Sequence, residues 1–358
     1  MKIALISVDF FPNVGGVAAH VVELGKALAV NGHEVHVLTL PIADKREPEE
    51  NWQGMVVHRP CIPKSKPLYT FFMKRWLRNF LKKNPIDIIH VHGMRPLETT
   101  KGLGVPVLFT NHTSGYLRRL EKGQKVHAEL AKRLAHICHV LAPSEELCQA
   151  TRTVGFKNPI DFIPNGVDIT RFTPAENRPE RPVTILLARR LVDKNGVTVY
   201  AEAVKALKGL NVNLLFAGNG PERHKVEQIL KANGMYDKST FLGDISNQQM
   251  PDIYRSADIS VLPSFMEATS ITGLESMACR LPLIGTCVGG IPTLISDGET
   301  GILVPPGDPN LLGKALVELV NNPTLREEMG LKARKKAEQQ FSWLSIAART
   351  AAIYQRYI

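Results

Sequence analysis

The sequence predicts an α/β protein built from two doubly wound parallel sheets, and three observations lead to that prediction. Short apolar runs alternate with amphipathic stretches along all 358 residues, which is typical of parallel sheets with helices on both faces. The alternation forms two series, each roughly half of the chain. Between them lies a polar stretch rich in proline, as is usual for a linker between domains.

The predicted elements follow from apolar runs of strand length and from helical periodicity. The first series has the candidate strands Ile3–Val8, Glu34–Leu40, Ile86–His90, Val107–Thr110, His139–Ala142 and Ile160–Ile163. The second has Thr184–Ala188, Asn213–Ala217, Ser239–Leu242, Ile259–Leu262, Leu283–Gly285 and Gly301–Val304. The helical patterns include Val17–Asn31, Ala128–Leu134, Gly196–Lys208, Pro221–Ala232 and Leu274–Ala278.

The domain boundary is predicted in the linker between Asn165 and Pro182, which also contains Pro174 and Pro179. Two Rossmann-like domains are therefore expected, over residues 1–170 and 171–340. The remaining residues, 341–358, are predicted to form an amphipathic helix, and no strand follows it.

Composition restricts the class of protein. Hydrophobic residues make up 44% and charged residues 22%, as in soluble globular enzymes, and 6% aromatic residues argue against a nucleic-acid stacking surface. The five cysteines form no CxxC pair, which predicts buried free thiols in a reducing compartment and neither a disulfide framework nor a zinc site. The first residues resemble a buried strand and lack signal-peptide features, so we expect a cytoplasmic protein.

The positive charge is local. The formal net charge is +10, and the stretch Asn51–Ile86 contains no acidic residue. Within it, Leu68–Lys83 is predicted to be a basic amphipathic helix in which Phe72, Trp76 and Phe80 recur at helical spacing. Such a helix can dock on an anionic membrane surface or bind an acidic acceptor. We favour a stripe packed on the sheet, because aromatic stripes at this spacing are usually core.

Gly15 and Gly16 follow the first strand and precede a helix. A turn without side chains lets a ligand phosphate approach the backbone and the helix N-terminus, although a tight strand-to-helix turn needs the same residues. There is no GxGxxG motif, which counts against a dinucleotide site and an oxidoreductase.

The segment Pro263–Ala278 is the densest group of small and hydroxyl residues, and it connects a strand to a helix. Backbone N–H groups of Thr269–Thr272 are expected to form a cradle for a diphosphate at the strand ends. Glu267 and Glu275 are eight residues apart, which is about 12 Å on one helix and too far for a glycosidase pair. Their spacing suits two separate ligand contacts. It equally allows a structural interpretation, in which Glu267 stabilises the helix N-terminus and Glu275 is a solvated helix residue.

Three cations follow the strand Thr184–Ala188: Arg189, Arg190 and Lys194. They can neutralise a leaving diphosphate without a metal ion, although a solvated basic turn looks the same in sequence. No Asp-x-Asp occurs in the chain, so the carboxylate pair that binds metal in metal-dependent transferases has no candidate.

His112 comes just after the strand Val107–Thr110 and can donate a hydrogen bond to a sugar hydroxyl, although a lone histidine is more often structural. His90 and His92 end another strand and are expected to reach the same crevice. His136 and His139 have no metal-ligand spacing, and we interpret them as structural.

An ordered series of short motifs covers nearly the whole chain. Its pieces are Phe11-Pro12 with Gly15-Gly16, Asn31-Gly32-His33-Glu34-Val35, Thr110-Asn111-His112, Ala142-Pro143-Ser144-Glu145, Ile163-Pro164-Asn165-Gly166-Val167-Asp168, Arg190-Leu191-Val192, Ala217-Gly218-Asn219-Gly220-Pro221, Leu262-Pro263-Ser264, Glu267 and Glu275 as E-x7-E, Gly289-Gly290-Ile291-Pro292, and Phe341-Ser342-Trp343. The series resembles the retaining, metal-independent glycosyltransferases of the GT-B fold, in the family 4 group of bacterial cell-surface sugar transferases.

The resemblance implies a fold and a set of roles. It implies a cleft between an acceptor-binding domain, 1–170, and a nucleotide-sugar-binding domain, 171–340, with helix 341–358 crossing back to the first. In the implied site, Glu275 holds the donor ribose, Glu267 the transferred sugar, and His112 contacts that sugar. Arg190 and Lys194 hold the diphosphate. The other implied donor-binding residues are Gly15, Gly16, Arg189, Asn219, Ala268, Thr269, Ser270 and Ile271.

The chain departs from the family pattern at several places. Arg189 stands where the family has glycine, Ala268-Thr269-Ser270 replaces a glycine-rich stretch, and the family's lysine falls on either Lys194 or Asn195. A UDP-sugar is the expected donor, with GDP-mannose next, and the acceptor is expected to be a glycan or a lipid-linked molecule. The protein is expected to be cytoplasmic, with a peripheral position on the inner face of the membrane as a further possibility. The alternatives are a sugar phosphorylase of the same fold and a binding module without catalysis.

Overall fold

The computed structural model describes residues 1–11, 15–41, 47–63, 65–112, 116, 119–120, 123–176 and 180–358. Pro12 and Pro179, which were used above, lie outside these ranges. The chain forms two compact units: unit 1 comprises Met1–Gly166 and Trp343–Ile358, and unit 2 comprises Val167–Ser342. The divisions lie a few residues from the boundaries taken from sequence, and the last helix belongs to unit 1.

The secondary-structure elements are numbered here in chain order. The strands are β1 Lys2–Ser7, β2 Glu34–Leu38, β3 Glu49–Trp52, β4 Met55–His58, β5 Ile88–His92, β6 Val107–Thr110, β7 His139–Ala142, β8 Ile160–Phe162, β9 Val183–Ala188, β10 Val212–Ala217, β11 Ser239–Gly243, β12 Ile259–Leu262, β13 Leu283–Thr286 and β14 Gly301–Val304. The helices are α1 Gly16–Val30, α2 Lys66–Lys83, α3 Gln124–Leu134, α4 Glu145–Thr153, α5 Val197–Ala203, α6 Arg223–Asn233, α7 Met250–Arg255, α8 Ile271–Ala278, α9 Ile291–Leu294, α10 Pro309–Asn321, α11 Pro323–Lys336 and α12 Trp343–Tyr354.

The sheet of unit 1 has the order β3-β4-β2-β1-β5-β6-β7-β8, and all its pairings are parallel except β3 with β4. Sequence reasoning missed this hairpin because β3 is a polar edge strand with no apolar run. Its turn is made by Gln53 and Gly54, with φ of 49° and 82°, the left-handed conformation that a two-residue hairpin turn requires.

Helices cover both faces of this sheet. α1 and α12 bury their apolar residues on one face, and α2, α3 and α4 bury theirs on the other. In α2 the buried stripe consists of Tyr69, Met73, Leu77 and Phe80. The predicted stripe was therefore wrong in part, because the exposed face of the helix carries Phe72 and Trp76 is only partly buried.

The sheet of unit 2 is parallel throughout, with the order β11-β10-β9-β12-β13-β14. Helices α5, α6 and α10 pack on one face and α7, α8 and α9 on the other, while α11 contributes Met329 to the first cluster and Ala333 to the second. From β9 the chain first builds outward through β10 and β11, and then crosses to β12 on the other side. The carboxyl ends of β9 and β12 therefore form a topological switch point, where open α/β sheets bind ligands.

The cysteines differ in exposure, and the described helices are short or polar. All five cysteines are free, but Cys61 and Cys287 are exposed, so the prediction that the thiols are buried was wrong for these two. Within the described residues, no helix combines the length and the apolar character that crossing a bilayer requires.

Candidate functional site

A pocket of about 340 Å³ opens at the switch point of unit 2. It is lined by loops that follow β9, β10 and β11 and by the start of α8. The lining residues are Ala188, Arg189, Arg190, Ala217, Gly218, Asn219, Asp244, Ile245, Asn247, Met250, Ile271, Thr272 and Glu275. The structure thus brings together six of the residues singled out as ligand contacts from sequence: Arg189, Arg190, Asn219, Ile271, Thr272 and Glu275.

Glu275 is the carboxylate that lines this pocket from α8. It is half-buried, and the hydroxyl of Tyr254 donates to its Oε2 at 2.8 Å. Burial raises its pKa to about 7, while the Tyr254 hydrogen bond and the charge of Arg171 act in the opposite direction. A hydroxyl group that donates to this carboxylate would favour its ionised form.

Arg189 and Glu267 form an ion pair at the same edge of the sheet. The guanidinium group donates to Oε2 of Glu267 and, at 2.5 Å, to the hydroxyl of the buried Ser264. Both charged side chains are largely buried, so the pair fixes the carboxylate of Glu267 in one place. Arg189, which sequence reasoning assigned to the donor, is therefore engaged inside the protein in this structure.

The other two cations are accessible. Arg190 and Lys194 are exposed, and within the described residues neither side chain has an acidic partner. Asn195 is buried, and its amide donates to the backbone oxygen of Arg190 at 2.7 Å. Of the two positions that the sequence allowed for the family's lysine, Asn195 braces the loop, while Lys194 remains free to meet a ligand but does not line the pocket.

The loop before α8 is held from two sides. Ser270 caps the helix, since its hydroxyl accepts from the backbone N–H of Gly273 at 3.2 Å, and Thr269 is buried beside it. On the other side, a Cβ atom on Gly289 or Gly290 would collide with the carbonyl groups of Glu267 or Ala268, so only glycine allows this approach. Thr269 and Ser270 therefore support the loop, and Ala268 is exposed.

Sequence reasoning missed the lining residues Asp244, Ile245, Asn247 and Met250. They follow β11, where Gly243 has a φ of 70° and turns the chain. Arg171 donates to the backbone oxygen of Asn247 and so ties this loop to the beginning of the unit. The sequence feature that could have predicted this loop is the strand end Phe241-Leu242-Gly243, because loops that follow parallel strands carry ligand contacts.

In unit 1, the glycine turn and a histidine cluster lie at the carboxyl ends of β1, β5 and β6. Among the described residues, no atom would lie within 4 Å of a Cβ on Gly15 or Gly16, and no side chain caps the N-terminus of α1. The rings of His20 and His112 meet edge to face at 4.4 Å, and His92 Nδ1 lies 2.9 Å from His112 Nε2. His20 Nδ1 lies 3.1 Å from Oδ1 of Asn165.

Burial keeps these imidazoles neutral. It lowers the pKa of His20 to about 4 and those of His92 and His112 well below their usual value. His90 was expected to reach the crevice, and that expectation was wrong. β5 continues to His92, and both ring nitrogens of His90 are engaged, with the hydroxyls of Tyr354 and Thr110, each at 2.6 Å.

Among the described residues, His20, His92 and His112 are the group whose nitrogens come close enough to hold a metal ion, all within 4.8 Å of one another. The separation of 2.9 Å between His92 and His112 is that of a hydrogen bond. Two nitrogens on one tetrahedral zinc ion would be about 3.3 Å apart. The pair as it stands therefore fits a shared proton better than a metal ion.

Comparison with known proteins agrees with the fold and the motifs. Residues 14–171 match the family model of Glycosyltransferase Family 4, and residues 168–336 match that of Glycosyl transferases group 1. A D-inositol 3-phosphate glycosyltransferase of Arthrobacter sp. (strain FB24) is 30% identical, over 96% of this chain and 90% of its own. One subunit of the phosphatidylinositol N-acetylglucosaminyltransferase of Arabidopsis thaliana is 26% identical, over 99% of this chain and 82% of its own.

Among solved structures, Anabaena Alr3699/HepE in complex with UDP has a TM-score of 0.78 at 17% identity, covering 99% of this chain and 100% of that one. This likeness concerns the fold, whereas the family models and the relatives concern the sequence. Together with the two α/β sheets, they show that the chain is an enzyme of glycosyltransferase family 4 with the GT-B fold.

Proposed function

We propose that the protein transfers a hexose or N-acetylhexosamine from a nucleoside diphosphate sugar to a glycan or lipid-linked acceptor. The transfer retains the anomeric configuration and needs no metal ion. UDP-sugars are the first donors to test, and GDP-mannose is the next. One observation carries this proposal: Glu275 and Arg190 line the same pocket at the switch point of unit 2. A carboxylate suits the ribose hydroxyls, and a guanidinium suits the diphosphate.

The proposed mechanism assigns a task to each charged group. The bond between the anomeric carbon and the diphosphate breaks ahead of the attack by the acceptor. Arg190 and Lys194 stabilise the negative charge that develops on the leaving diphosphate. The acceptor hydroxyl attacks from the face that the leaving group vacates, and its proton passes to a leaving phosphate oxygen. Glu267, fixed by Arg189, binds hydroxyls of the transferred sugar.

The acceptor is proposed to carry an acidic group. The two relatives described above are named for inositol 3-phosphate and for phosphatidylinositol, both of which are phosphate-bearing acceptors. In unit 1, a groove of about 860 Å³ lies beside α2, and its lining includes Lys74, Arg75, Arg78 and Lys82. None of these side chains has an acidic partner among the described residues, so their charge is available to an anionic ligand.

The reaction is tested by incubating the protein with single UDP-, GDP- and ADP-sugars and measuring released nucleotide. A transferase hydrolyses its donor slowly without acceptor and faster with it, whereas a binding module releases none. A phosphorylase would instead form sugar phosphate when inorganic phosphate is added. Activity that persists in EDTA supports the metal-independent route, and NMR of the product's anomeric proton reports retention. Failure of every donor to react would contradict the proposal.

We also propose that α2 docks on an anionic membrane surface, which would place the enzyme peripherally on the inner face. Its solvent-facing side carries Leu68, Phe71 and Phe72, exposed by 49%, 64% and 41%, next to the basic residues of the groove. Apolar side chains beside cations are typical of interfacial helices. Phe71→Ser should reduce sedimentation with vesicles containing anionic lipid, while Leu331→Ser, on an exposed leucine of unit 2, should not. Equal sedimentation of both variants would contradict this docking.

A further inference from the structure

We propose that His92 is a positioning residue which holds His112 in the tautomer with its proton on Nδ1. In this tautomer His112 presents an N–H donor to the substrate and has no free lone pair with which to act as a base. The inference deepens the proposed function and rests on it for the substrate, a sugar hydroxyl or ring oxygen. The tautomer itself rests on the geometry of unit 1.

The first step is the contact between the two rings. His92 ends β5 and His112 follows β6, and these neighbouring strands pair in register, with His92 opposite Thr110. Nδ1 of His92 lies 2.9 Å from Nε2 of His112, so one of the two nitrogens donates and the other accepts. Because His112 uses Nε2 for this contact, Nδ1 is the ring nitrogen left for a ligand. His112 as a residue is half-buried, whereas His92 is buried.

The second step decides which ring donates. His92 is 1% exposed, and its Nε2 is buried without a hydrogen-bond partner among the described residues. If His112 donated, His92 would carry its proton on this Nε2, and a buried N–H would have no acceptor. If His92 donates from Nδ1, only a lone pair is left unused. Orphaned buried N–H groups are rarer than under-used acceptors, so the second arrangement is favoured.

Neither neighbouring histidine ring accepts a hydrogen bond from Nε2 of His92. His90 uses one ring nitrogen with Tyr354 and the other with Thr110, so it offers no acceptor to His92. His20 donates from Nδ1 to Oδ1 of Asn165, which leaves its Nε2 as an acceptor, but no described acceptor, this nitrogen included, lies within hydrogen-bonding distance of His92 Nε2. Burial lowers the pKa of all four rings, so each ring is neutral and carries one proton, and only one proton lies in the contact between His92 and His112.

The consequence concerns the proton of the acceptor hydroxyl. With Nε2 of His112 occupied and Nδ1 protonated, His112 can donate to an oxygen of the sugar but cannot take up that proton. The proton must therefore leave with another group, which is the role that the mechanism gives to the departing phosphate.

The direct test is NMR of the full chain labelled with ¹⁵N in its histidine rings, at neutral pH and without ligand. Long-range ¹H–¹⁵N correlations distinguish a protonated ring nitrogen from a bare one, and His112→Ala assigns the signals. The expected result is a proton on Nδ1 of His112 and on Nδ1 of His92. A proton on Nε2 of His112 would overturn the proposal, whether or not the enzyme shows transfer activity.

The kinetic test uses variants of His92. His92→Leu removes the donor, and we expect kcat to fall about tenfold with an unchanged KM for the donor, as for the loss of one hydrogen bond. His92→Asn keeps an amide N–H near the position of Nδ1 and should restore most of kcat. His139→Leu, a buried histidine on β7 outside the cluster, is the matched control and should keep kcat. Full kcat in His92→Leu would contradict the positioning role.

The two tests separate the failure of this inference from that of the proposed function. Wild-type protein that transfers no sugar would refute the function, while the NMR spectrum would still decide the tautomer. Should His92→Leu not fold, His92→Asn alone decides the kinetic arm: near-normal kcat is expected, and a loss larger than about tenfold contradicts the proposal.

Discussion

The carboxyl edges of the two sheets occupy the same place in their folds, but their chemistry differs. In unit 2 the edge carries charges: the Arg189–Glu267 ion pair, Arg190 and the carboxylate of Glu275. In unit 1 the edge carries imidazoles that burial keeps neutral. One topological position can thus be charged for an anionic ligand or neutral for hydroxyl groups, depending on the loops that follow its strands.

The two edges differ in how they offset the cost of burying a charged side chain. A buried charge needs a partner, and Glu267 obtains one from Arg189. A buried histidine can become neutral by losing a proton. The rings of unit 1 are neutral because they mainly contact one another and neutral groups. Substitutions at the charged edge are therefore expected to change catalysis and donor binding through charge.

Removing the exposed cation beside the pocket should have the largest effect. Arg190→Ala is expected to lower kcat by about 100- to 1,000-fold, since a group that stabilises developing charge contributes about that much. Steady-state kinetics with the preferred donor measure it. Lys332→Ala, on an exposed face of α11, is the control and should leave kcat unchanged. If Arg190→Ala kept normal kcat, the charged edge would not act on the leaving group.

Removing the pocket carboxylate should weaken donor binding. Glu275→Ala is expected to raise the Kd for the nucleotide sugar by about 30- to 140-fold, because a hydrogen bond to a charged group is worth about 2–3 kcal/mol. Calorimetric titration measures the Kd, with Glu328→Ala on exposed surface as the control. Donor affinity close to that of the wild type would remove Glu275 from the binding site.

The raised pKa of Glu275 predicts how donor binding depends on pH. Ribose hydroxyls donate to the carboxylate, so binding favours the ionised form and releases a proton when the free enzyme is protonated. Because the pKa is about 7, donor affinity should rise with pH up to about 7, by up to about tenfold per unit, and stay level above it. Calorimetric titrations at several pH values between about 5 and 8 measure how the Kd for the donor depends on pH. A Glu275→Gln variant with the same slope would contradict the assignment.

The smallest predicted effect is on stability and concerns the loop that carries Glu267. Gly289 and Gly298 both have positive φ, 52° and 74°, but only a Cβ on Gly289 would collide with the backbone of Glu267. Gly289→Ala should therefore lower the free energy of unfolding by about 1–3 kcal/mol more than Gly298→Ala. Thermal unfolding measures the difference. Equal losses would mean that this contact does not hold the loop.

Much of the fold could be predicted from sequence because buried parallel strands appear as continuous apolar runs. Val107–Thr110, His139–Ala142 and Ile259–Leu262 have the predicted bounds. The hairpin of β3 and β4 was missed because an edge strand such as Glu49–Trp52 needs no apolar run. The stripe on α2 was misassigned because aromatic residues at helical spacing do not reveal which side faces the sheet.

The site was less predictable, because sequence shows which groups follow a strand but not which of them contact one another. The grouping of Arg190 with Glu275 followed from strand ends and motifs. The pairing of Arg189 with Glu267, 78 residues apart, depends on the crossing from β9 to β12. The orphaned nitrogen of His92 depends on packing that no local pattern records.

The central claim is that the charged edge of unit 2 binds the nucleotide diphosphate. Photo-crosslinking of the wild-type enzyme with an azido-uridine diphosphate sugar, followed by peptide mapping, tests it most directly. The account predicts labelled peptides from the pocket-lining loops between Ala188 and Glu275, and protection of those peptides by unlabelled UDP. Protectable labelling confined to peptides of unit 1 would contradict it.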